Sequence, residues 1–136
     1  DYEKTVALYK AKGLEAEVMP FIQDMAGVYK EADLVVSRAG AGAVFEMAAM
    51  GKPSLLIPYP FAANRHQDTN ARFLVEAGAA EMILQENLTG EVLADRLVKW
   101  MEGRAALEKM GQAARRVSKP DAAQKIADLL LEMVRA

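Results

Sequence analysis

Short apolar runs alternate with longer stretches of helical periodicity along the first two-thirds of the chain. Four of these runs have the length of strands and lie at residues 17–19, 34–37, 54–58 and 81–84. The run at 34–37 is apolar up to its last residue, as expected when both faces of a parallel sheet are covered. Strands that alternate with helices predict an α/β fold, with a Rossmann-like parallel sheet and flanking helices.

Between the predicted strands, apolar residues recur at helical spacing. One helix precedes Gly13, and a second is capped by Asp24 and carries Met25, Val28 and Tyr29. A third is predicted from Ala43 to Met50, where Gly51 and Pro53 act as stop signals, and a fourth spans about residues 65–77.

The C-terminal third is helical throughout. Thr89 is a candidate N-cap for the first of three helices, and the other two begin near residues 104 and 120. The last helix is predicted to bury one apolar face. Its members are Ile126, Leu130, Met133 and Val134. No repeat or low-complexity linker interrupts the pattern, which predicts a single domain over residues 1–136 with a helical segment from about 89 to 136.

Charge and cysteine content argue against several functions. Seventeen basic and nineteen acidic residues give a net charge of −2, so the chain lacks the basic surplus of a nucleic-acid-binding protein. The absence of cysteine excludes disulfides, thiol nucleophiles and zinc–thiolate sites. The longest apolar stretch, residues 55–63, contains two prolines and is much shorter than the ~20 residues of a membrane span. Because the N-terminus lacks the pattern of a signal peptide, we expect a cytoplasmic location.

The first candidate for chemistry is the glycine-containing turn at residues 37–42, between a predicted strand and a helix. Glycines at Gly40 and Gly42 allow close approach of a ligand, and free amides at a helix N-terminus can bind a diphosphate. A dinucleotide motif would need a third glycine where this chain has Phe45, so the turn is not that motif. A plain strand–helix connection explains the glycines alone more simply.

Glu46 has two explanations. A carboxylate near a helix N-terminus is stabilised by the helix dipole and needs no function. A carboxylate just beyond a diphosphate site can also accept hydrogen bonds from two adjacent ribose hydroxyls. The residue alone does not decide between them.

The loop after the third predicted strand offers a further set of polar side chains, at residues 64–67 and at Asn70. Amide side chains both donate and accept hydrogen bonds, which suits the hydroxyls and acetamido group of a sugar. His66 is the only histidine, and a role in positioning is favoured over acid–base catalysis. Without cysteine, a second histidine or a nearby acidic cluster, neither a metal site nor another cofactor is predicted.

Taken in order, several segments resemble one family, the MurG family of UDP-N-acetylglucosamine:undecaprenyl-pyrophosphoryl-muramoyl-peptide N-acetylglucosaminyltransferases. The resemblance runs from about Phe21 to the C-terminus. The matching segments are Pro20-Phe21-Ile22-Gln23-Asp24-Met25, Ala32-Asp33-Leu34-Val35-Val36-Ser37-Arg38-Ala39-Gly40-Ala41, Glu46 with Gly51-Lys52-Pro53, and His66-Gln67-Asp68-Thr69-Asn70-Ala71. The ordered set is far more specific than any one segment.

The resemblance implies a role for each matching residue in binding the donor, UDP-N-acetylglucosamine (UDP-GlcNAc). Ile22 would contact the uracil through its backbone. Glu46 would hold the ribose hydroxyls, and Asn70 matches the family's asparagine one turn beyond the sugar-reading pair. Ala41, Gly42 and Ala43 would surround the diphosphate, while His66 and Gln67 would read the sugar hydroxyls. Some relatives have glutamine where this chain has His66, and Arg38 is expected to be structural.

The resemblance also implies a truncated domain, the C-terminal half of a GT-B fold without its first strands. The implied enzyme transfers N-acetylglucosamine, with inversion, to a lipid-linked muramoyl pentapeptide in peptidoglycan synthesis at the inner face of the bacterial membrane. The acceptor site, the general base and any peripheral membrane contact would lie elsewhere in the full-length protein, so no residue here is expected to be catalytic. Two alternatives stay open: a donor-binding subunit of a bipartite transferase, and a UDP-sugar epimerase, which would need further acidic and histidine residues.

Overall fold

Residues 1–135 are described by a computed structural model, which has a parallel three-stranded sheet in the order β1-β2-β3. The strands are β1 (Val35–Ser37), β2 (Ser54–Leu56) and β3 (Ala80–Met82). In the register of the sheet, Val36 lies opposite Leu55, and Leu55 lies opposite Glu81. The predicted α/β class with a parallel sheet is confirmed, whereas its division into domains stays a prediction.

Helices connect the strands and form the C-terminal third. Two short 3₁₀ turns lie at Ala63–Arg65 and Gln85–Asn87. The α-helices are α1 (Tyr2–Ala11), α2 (Met25–Glu31), α3 (Ala41–Met50), α4 (His66–Glu76), α5 (Gly90–Glu102), α6 (Arg104–Val117) and α7 (Ala122–Arg135). Among residues 1–135, no helix is both long and apolar enough to cross a membrane.

The helix starts follow from local capping. Asp24 and Thr89 cap α2 and α5 as predicted, by accepting hydrogen bonds from the amides of Gly27 (2.8 Å) and Val92 (3.1 Å). The α3 helix begins two residues earlier than the predicted start at Ala43. Gly40 is its N-cap, because its backbone is extended and its carbonyl accepts the first helical bond.

The core lies between β2 and the two crossover helices. Every residue of β2 is buried, and Leu55 and Leu56 have no exposed surface. The helices α3 and α4 cover this strand with fully or almost fully buried side chains. These are Val44, Met47 and Ala48 from α3, and Ala71 and Leu74 from α4.

The C-terminal end of α3 is held by a close backbone contact with α6. Gly51 ends α3 in the left-handed region, with φ of +64°. Gly111 of α6 lies so near that a Cβ on it would be only 2.7 Å from the carbonyl oxygen of Gly51. Glycine therefore allows α6 to pack directly on the end of α3.

The predicted strand at residues 17–19 is wrong. These residues form neither helix nor strand, because a strand needs a ladder of hydrogen bonds and no described strand pairs with them. β1 is an edge strand in the described sheet, and Val36 is 42% exposed. The expectation that both faces of this strand would be covered is therefore also wrong at Val36.

The predicted burial of the apolar face of α7 is wrong as well. Ile126 and Leu130 are 60% and 57% exposed, and Met133 and Val134 are 69% and 85% exposed. An amphipathic pattern shows that one face of a helix would be stabilised by packing against another element. It does not show which element that is, or that the described chain contains it. Within residues 1–135 the helix forms without burying any of its residues.

Candidate functional site

The predicted site residues lie on two neighbouring connections of the sheet. The turn at residues 38–40 joins the carboxyl end of β1 to α3, and the loop at residues 57–65 joins the carboxyl end of β2 to α4. Because β1 and β2 are parallel and adjacent, both connections emerge at the same edge of the sheet. Ligands of open α/β sheets bind at this edge.

The N-terminus of α3 presents three free amides. The first bond inside the helix runs from the amide of Val44 to the carbonyl of Gly40, at 3.0 Å. The amides of Ala41, Gly42 and Ala43 therefore lack an acceptor within the helix, and they coincide with the positive end of its dipole. Ala41 and Gly42 are exposed, and a Cβ placed on Gly40 or Gly42 would meet nothing within 4 Å, so there is open space beside these residues. The arrangement suits an anion such as a diphosphate.

Glu46 lies farther into α3 than the dipole explanation requires. It is the sixth residue of the helix, and the first turn contains no acidic residue. Stabilisation by the dipole falls off within the first turn, so it accounts poorly for Glu46. The side chain is exposed, on the same helix as the free amides, and can accept hydrogen bonds from a ligand.

Tyr29 of α2 supports the carboxylate of Glu46. Its hydroxyl donates a hydrogen bond of 3.3 Å to Oε2, and the tyrosine is only 6% exposed. Burial, followed by the negative charge of Glu46 and the hydrogen bond, raises the pKa of Tyr29 above its ordinary value of 10.0. Tyr29 therefore stays protonated at neutral pH and donates one bond that orients the carboxylate.

Two amide side chains of α4 hold the turn between β1 and α3. The carbonyl oxygen of Gln67 accepts from the amide of Ala39 at 3.2 Å and from the amide of Tyr59 at 2.9 Å. The side-chain nitrogen of Asn70 donates to the carbonyl of Ala39 at 3.0 Å. Both peptide groups of the fully buried Ala39 are thus bonded to α4.

Arg38 has the structural role expected from the sequence. One guanidinium nitrogen donates to the carbonyls of Ile57 (3.1 Å) and Pro58 (3.3 Å), which follow β2. The guanidinium also lies 5.7 Å from the centre of the Tyr59 ring. These contacts connect the ends of β1 and β2, and they use donors that an anionic ligand would otherwise attract.

His66 is the first residue of α4 and is exposed. Its Nδ1 lies 2.8 Å from the carbonyl oxygen of Ala63. Because a carbonyl only accepts, Nδ1 carries the proton in this bond, which leaves Nε2 as an acceptor when the ring is neutral. Asn64 and Arg65, just before it, both have left-handed backbone conformations. The local bond fixes the ring orientation, which favours a positioning role.

Ile22 lies before α2, outside the two connections that contain most of the other predicted site residues. It is half-buried and lines a crevice of about 590 Å³ together with Val18, Met19 and Val28. Within the described residues, its backbone N–H and C=O make no hydrogen bond. The hydrogen bond between Tyr29 and Glu46 is one of the contacts that join the helix after Ile22 to α3.

Two functional features are not evident in the sequence. Tyr29 has the spacing of a core residue on α2, and its partner lies 17 positions away. Ala39 has no functional side chain, so only the structure reveals that its peptide groups are bonded by Gln67 and Asn70. In the described part of the chain, no three His, Cys, Asp or Glu residues are grouped as a metal site would require.

A parallel sheet with a glycine turn, a free helix N-terminus and a carboxylate at its carboxyl edge defines a Rossmann-like α/β domain suited to a phosphate-bearing ligand. The particular family is shown by comparison with known proteins. The model of the glycosyltransferase family 28 C-terminal domain matches residues 1–126. The chain therefore belongs to this family.

Several curated relatives carry the same name, UDP-N-acetylglucosamine--N-acetylmuramyl-(pentapeptide) pyrophosphoryl-undecaprenol N-acetylglucosamine transferase. The protein of Trichlorobacter lovleyi is 42% identical over 98% of this chain, and that of Azotobacter vinelandii is 48% identical over 98%. The protein of Solibacter usitatus is 48% identical over 93%. The chain spans 34% to 38% of the length of these relatives.

A crystal structure of MurG from Acinetobacter baumannii has the same fold. The superposition has a TM-score of 0.87 at 41% sequence identity, and it covers 96% of this chain and 38% of the MurG chain. The resemblance inferred from the sequence motifs is confirmed by this match and by the curated relatives. The matched portion agrees with the predicted C-terminal GT-B domain. The roles of individual site residues stay predictions.

Proposed function

We propose that this chain binds UDP-N-acetylglucosamine as the donor part of an inverting N-acetylglucosaminyltransferase. One observation carries the proposal: the free amides at residues 41–43 and the carboxylate of Glu46 lie on one helix, at the carboxyl edge of a parallel sheet. Amides suit a diphosphate, and an oriented carboxylate suits a ribose diol. Membership of the family supports the choice of a nucleotide sugar over other phosphate-bearing ligands.

In the proposed complex, each part of the donor has its own contact. The diphosphate lies at Ala41, Gly42 and Ala43, and the ribose hydroxyls donate to Glu46. The backbone of Ile22, which has no hydrogen bond to another described residue, contacts the uracil. His66, Gln67 and Asn70 lie at the start of α4 and contact the sugar.

The chain spans about a third of the length of its relatives, so the full reaction is also a proposal. The whole enzyme would transfer N-acetylglucosamine to a lipid-linked muramoyl pentapeptide at the inner face of the bacterial membrane. The acceptor site, the general base and any peripheral membrane contact would come from the rest of the protein. The amides at the start of α3 would stabilise the charge that develops on the leaving UDP.

The test is a titration of the chain with UDP and UDP-GlcNAc, observed amide by amide with NMR. We expect shifts at Ile22, at residues 41–43 and at Glu46. Affinity should be weak, since contacts from the rest of the protein are missing. Unchanged amides at these positions at millimolar ligand, with shifts elsewhere, would contradict the proposed site.

Glu46→Gln separates ribose binding from a structural role of this residue. The variant keeps the shape but weakens charge-assisted bonds, so UDP binding should weaken by on the order of 1–3 kcal/mol with little change in the free energy of unfolding. Measuring UDP and 2′,3′-dideoxy-UDP against both proteins forms a double-mutant cycle. A coupling energy of zero would remove Glu46 from the ribose site even if UDP binds.

A further inference from the structure

The hydrogen bonds around Ala39 indicate a second role for two of the proposed sugar-contacting residues. Ala39 lies between the end of β1 and the N-cap of α3, and it has no exposed surface. Its amide is bonded by Gln67 and its carbonyl by Asn70, both from α4. The turn that leads into the free amides of α3 is therefore fixed by side chains from a different helix.

The orientation of both amide side chains is determined by their partners. Gln67 meets two backbone N–H groups, those of Ala39 and Tyr59, so its oxygen must face them. Asn70 meets a carbonyl oxygen, so its nitrogen must face Ala39. The reversed orientations would place donor against donor or acceptor against acceptor.

This orientation limits what each residue can offer to a sugar. Both lone pairs of the Gln67 oxygen are used by backbone amides, and only the side-chain nitrogen remains for a ligand. Asn70 keeps its oxygen and its second N–H. Gln67 can therefore donate to a sugar oxygen but cannot accept from a sugar hydroxyl without releasing the turn.

We propose that Gln67 and Asn70 are positioning residues that hold the turn before α3 in its diphosphate-binding geometry through the peptide groups of Ala39, and that Gln67 meets the sugar only as a donor. The inference rests on the proposed function, because it assumes that the diphosphate lies at the start of α3. It extends that function by making two residues that contact N-acetylglucosamine necessary for binding UDP, which lacks that group.

Two isosteric variants separate positioning from sugar contact, and each is the control for the other. Gln67→Glu and Asn70→Asp both add one negative charge at the start of α4. The carboxylate introduced by Gln67→Glu still accepts from both backbone amides, so the turn is kept. The carboxylate introduced by Asn70→Asp faces the Ala39 carbonyl, so that contact becomes repulsive. Both variants add the same negative charge near the ligand. The difference between their affinities for UDP therefore measures the positioning of the turn.

The measurement is the affinity of each protein for uridine, UDP and UDP-GlcNAc by NMR titration. Asn70→Asp should bind UDP roughly tenfold more weakly than Gln67→Glu, because a lost bond and an unsatisfied carbonyl displace the turn. Uridine, which has no diphosphate, should bind both variants alike. Gln67→Glu should lose UDP-GlcNAc affinity relative to UDP, since its donor is gone.

Equal losses of UDP affinity in the two variants would overturn the positioning role, as would losses confined to UDP-GlcNAc. If Asn70→Asp does not fold, the neutral variant Asn70→Ala is compared with the unaltered chain, since neither protein carries an added charge at this position, and it should show the same loss of UDP affinity. Hydrogen exchange provides a second check: Gln67→Leu should expose the amides of Ala39 and Tyr59, and Gln67→Glu should not. If the unaltered chain binds no UDP, the proposed function fails instead.

Discussion

At the scale of single residues, the proposed role of Glu46 depends on a hydrogen bond from Tyr29 that orients its carboxylate. An exposed carboxylate rotates freely and loses side-chain entropy when it binds. The bond from the buried hydroxyl of Tyr29 restricts Glu46 before any ligand arrives. The same bond explains the raised pKa of Tyr29, since a phenolate there would lie in a buried place beside a negative charge.

Tyr29→Phe tests this bond through the pH dependence of stability. A raised folded-state pKa means that the contribution of Tyr29 is fully present below its ordinary value of 10.0 and is lost as the pH rises through the folded-state value. Near neutral pH, the variant should be less stable by about 0.5–1.5 kcal/mol. Urea titrations from about pH 8 to 11 should show that this difference shrinks at the alkaline end.

The half-exposed Tyr2 supplies the control for this experiment. The hydroxyl of Tyr2 makes no hydrogen bond to another described residue, so the stability of Tyr2→Phe should follow that of the unaltered chain. If Tyr29→Phe also follows the unaltered chain throughout, the bond to Glu46 contributes nothing to folding. The positioning of the carboxylate by Tyr29 would then lose its physical basis.

At the scale of elements, the contact between α3 and α6 depends on a glycine inside a helix. Alanine normally stabilises such a position by up to about 1 kcal/mol. Here a Cβ on Gly111 would lie 2.7 Å from the Gly51 carbonyl and 3.6 Å from Pro53, so the helices would have to separate. The structure therefore predicts that alanine at position 111 destabilises the protein, whereas helix propensity alone predicts that it stabilises it.

Gly111→Ala should lower the free energy of unfolding by up to about 2 kcal/mol, because strain of about 1–3 kcal/mol exceeds the gain in propensity. Gly90→Ala is the matched control, since a Cβ there meets nothing within 4 Å. That variant should change stability by less than about 0.5 kcal/mol. Chemical denaturation of both proteins measures the difference, and a stabilised Gly111→Ala would show that the two helices are not in close contact.

Local signals predicted several elements well. The caps Asp24 and Thr89 each accept from an amide only three residues away, so a short stretch of sequence is enough to predict them. The central strand β2 is also found, because its apolar run is completely buried in the sheet. The sequence pattern places the start of α3 two residues too late, because the extended conformation of Gly40 depends on the turn around it.

The site was only partly predictable for the same physical reason. A glycine turn and a carboxylate five residues beyond Ala41 are sequence patterns, and they led to residues 41–43 and Glu46. The bonds from Tyr29 and to Ala39 join residues 17, 28 and 31 positions apart. Such pairs are set by the packing of α2, α3 and α4, which no local pattern specifies.

At the scale of the whole molecule, β1 and α7 are among the places where the described residues leave apolar surface uncovered. β1 is an edge strand with Val36 partly exposed, and α7 exposes its entire apolar face. The segment at 17–19 has the composition of a strand but no strand beside it. A strand needs a neighbouring strand, and an amphipathic helix needs another element to cover its apolar face. The predictions at residues 17–19, Val36 and α7 are wrong because the described chain places no such element beside them.

The exposed face of α7 gives the last prediction. Leu130 is 57% exposed on a helix that buries no residue, whereas Leu74 of α4 is completely buried in the core. Leu130→Ser should therefore change the free energy of unfolding by less than about 0.5 kcal/mol, and Leu74→Ala should lower it by about 2–5 kcal/mol. Urea titrations of the 136-residue chain provide both values. A loss above about 1 kcal/mol for Leu130→Ser would mean that α7 packs against the protein in solution, since surface substitutions away from contacts stay within about 0.5 kcal/mol.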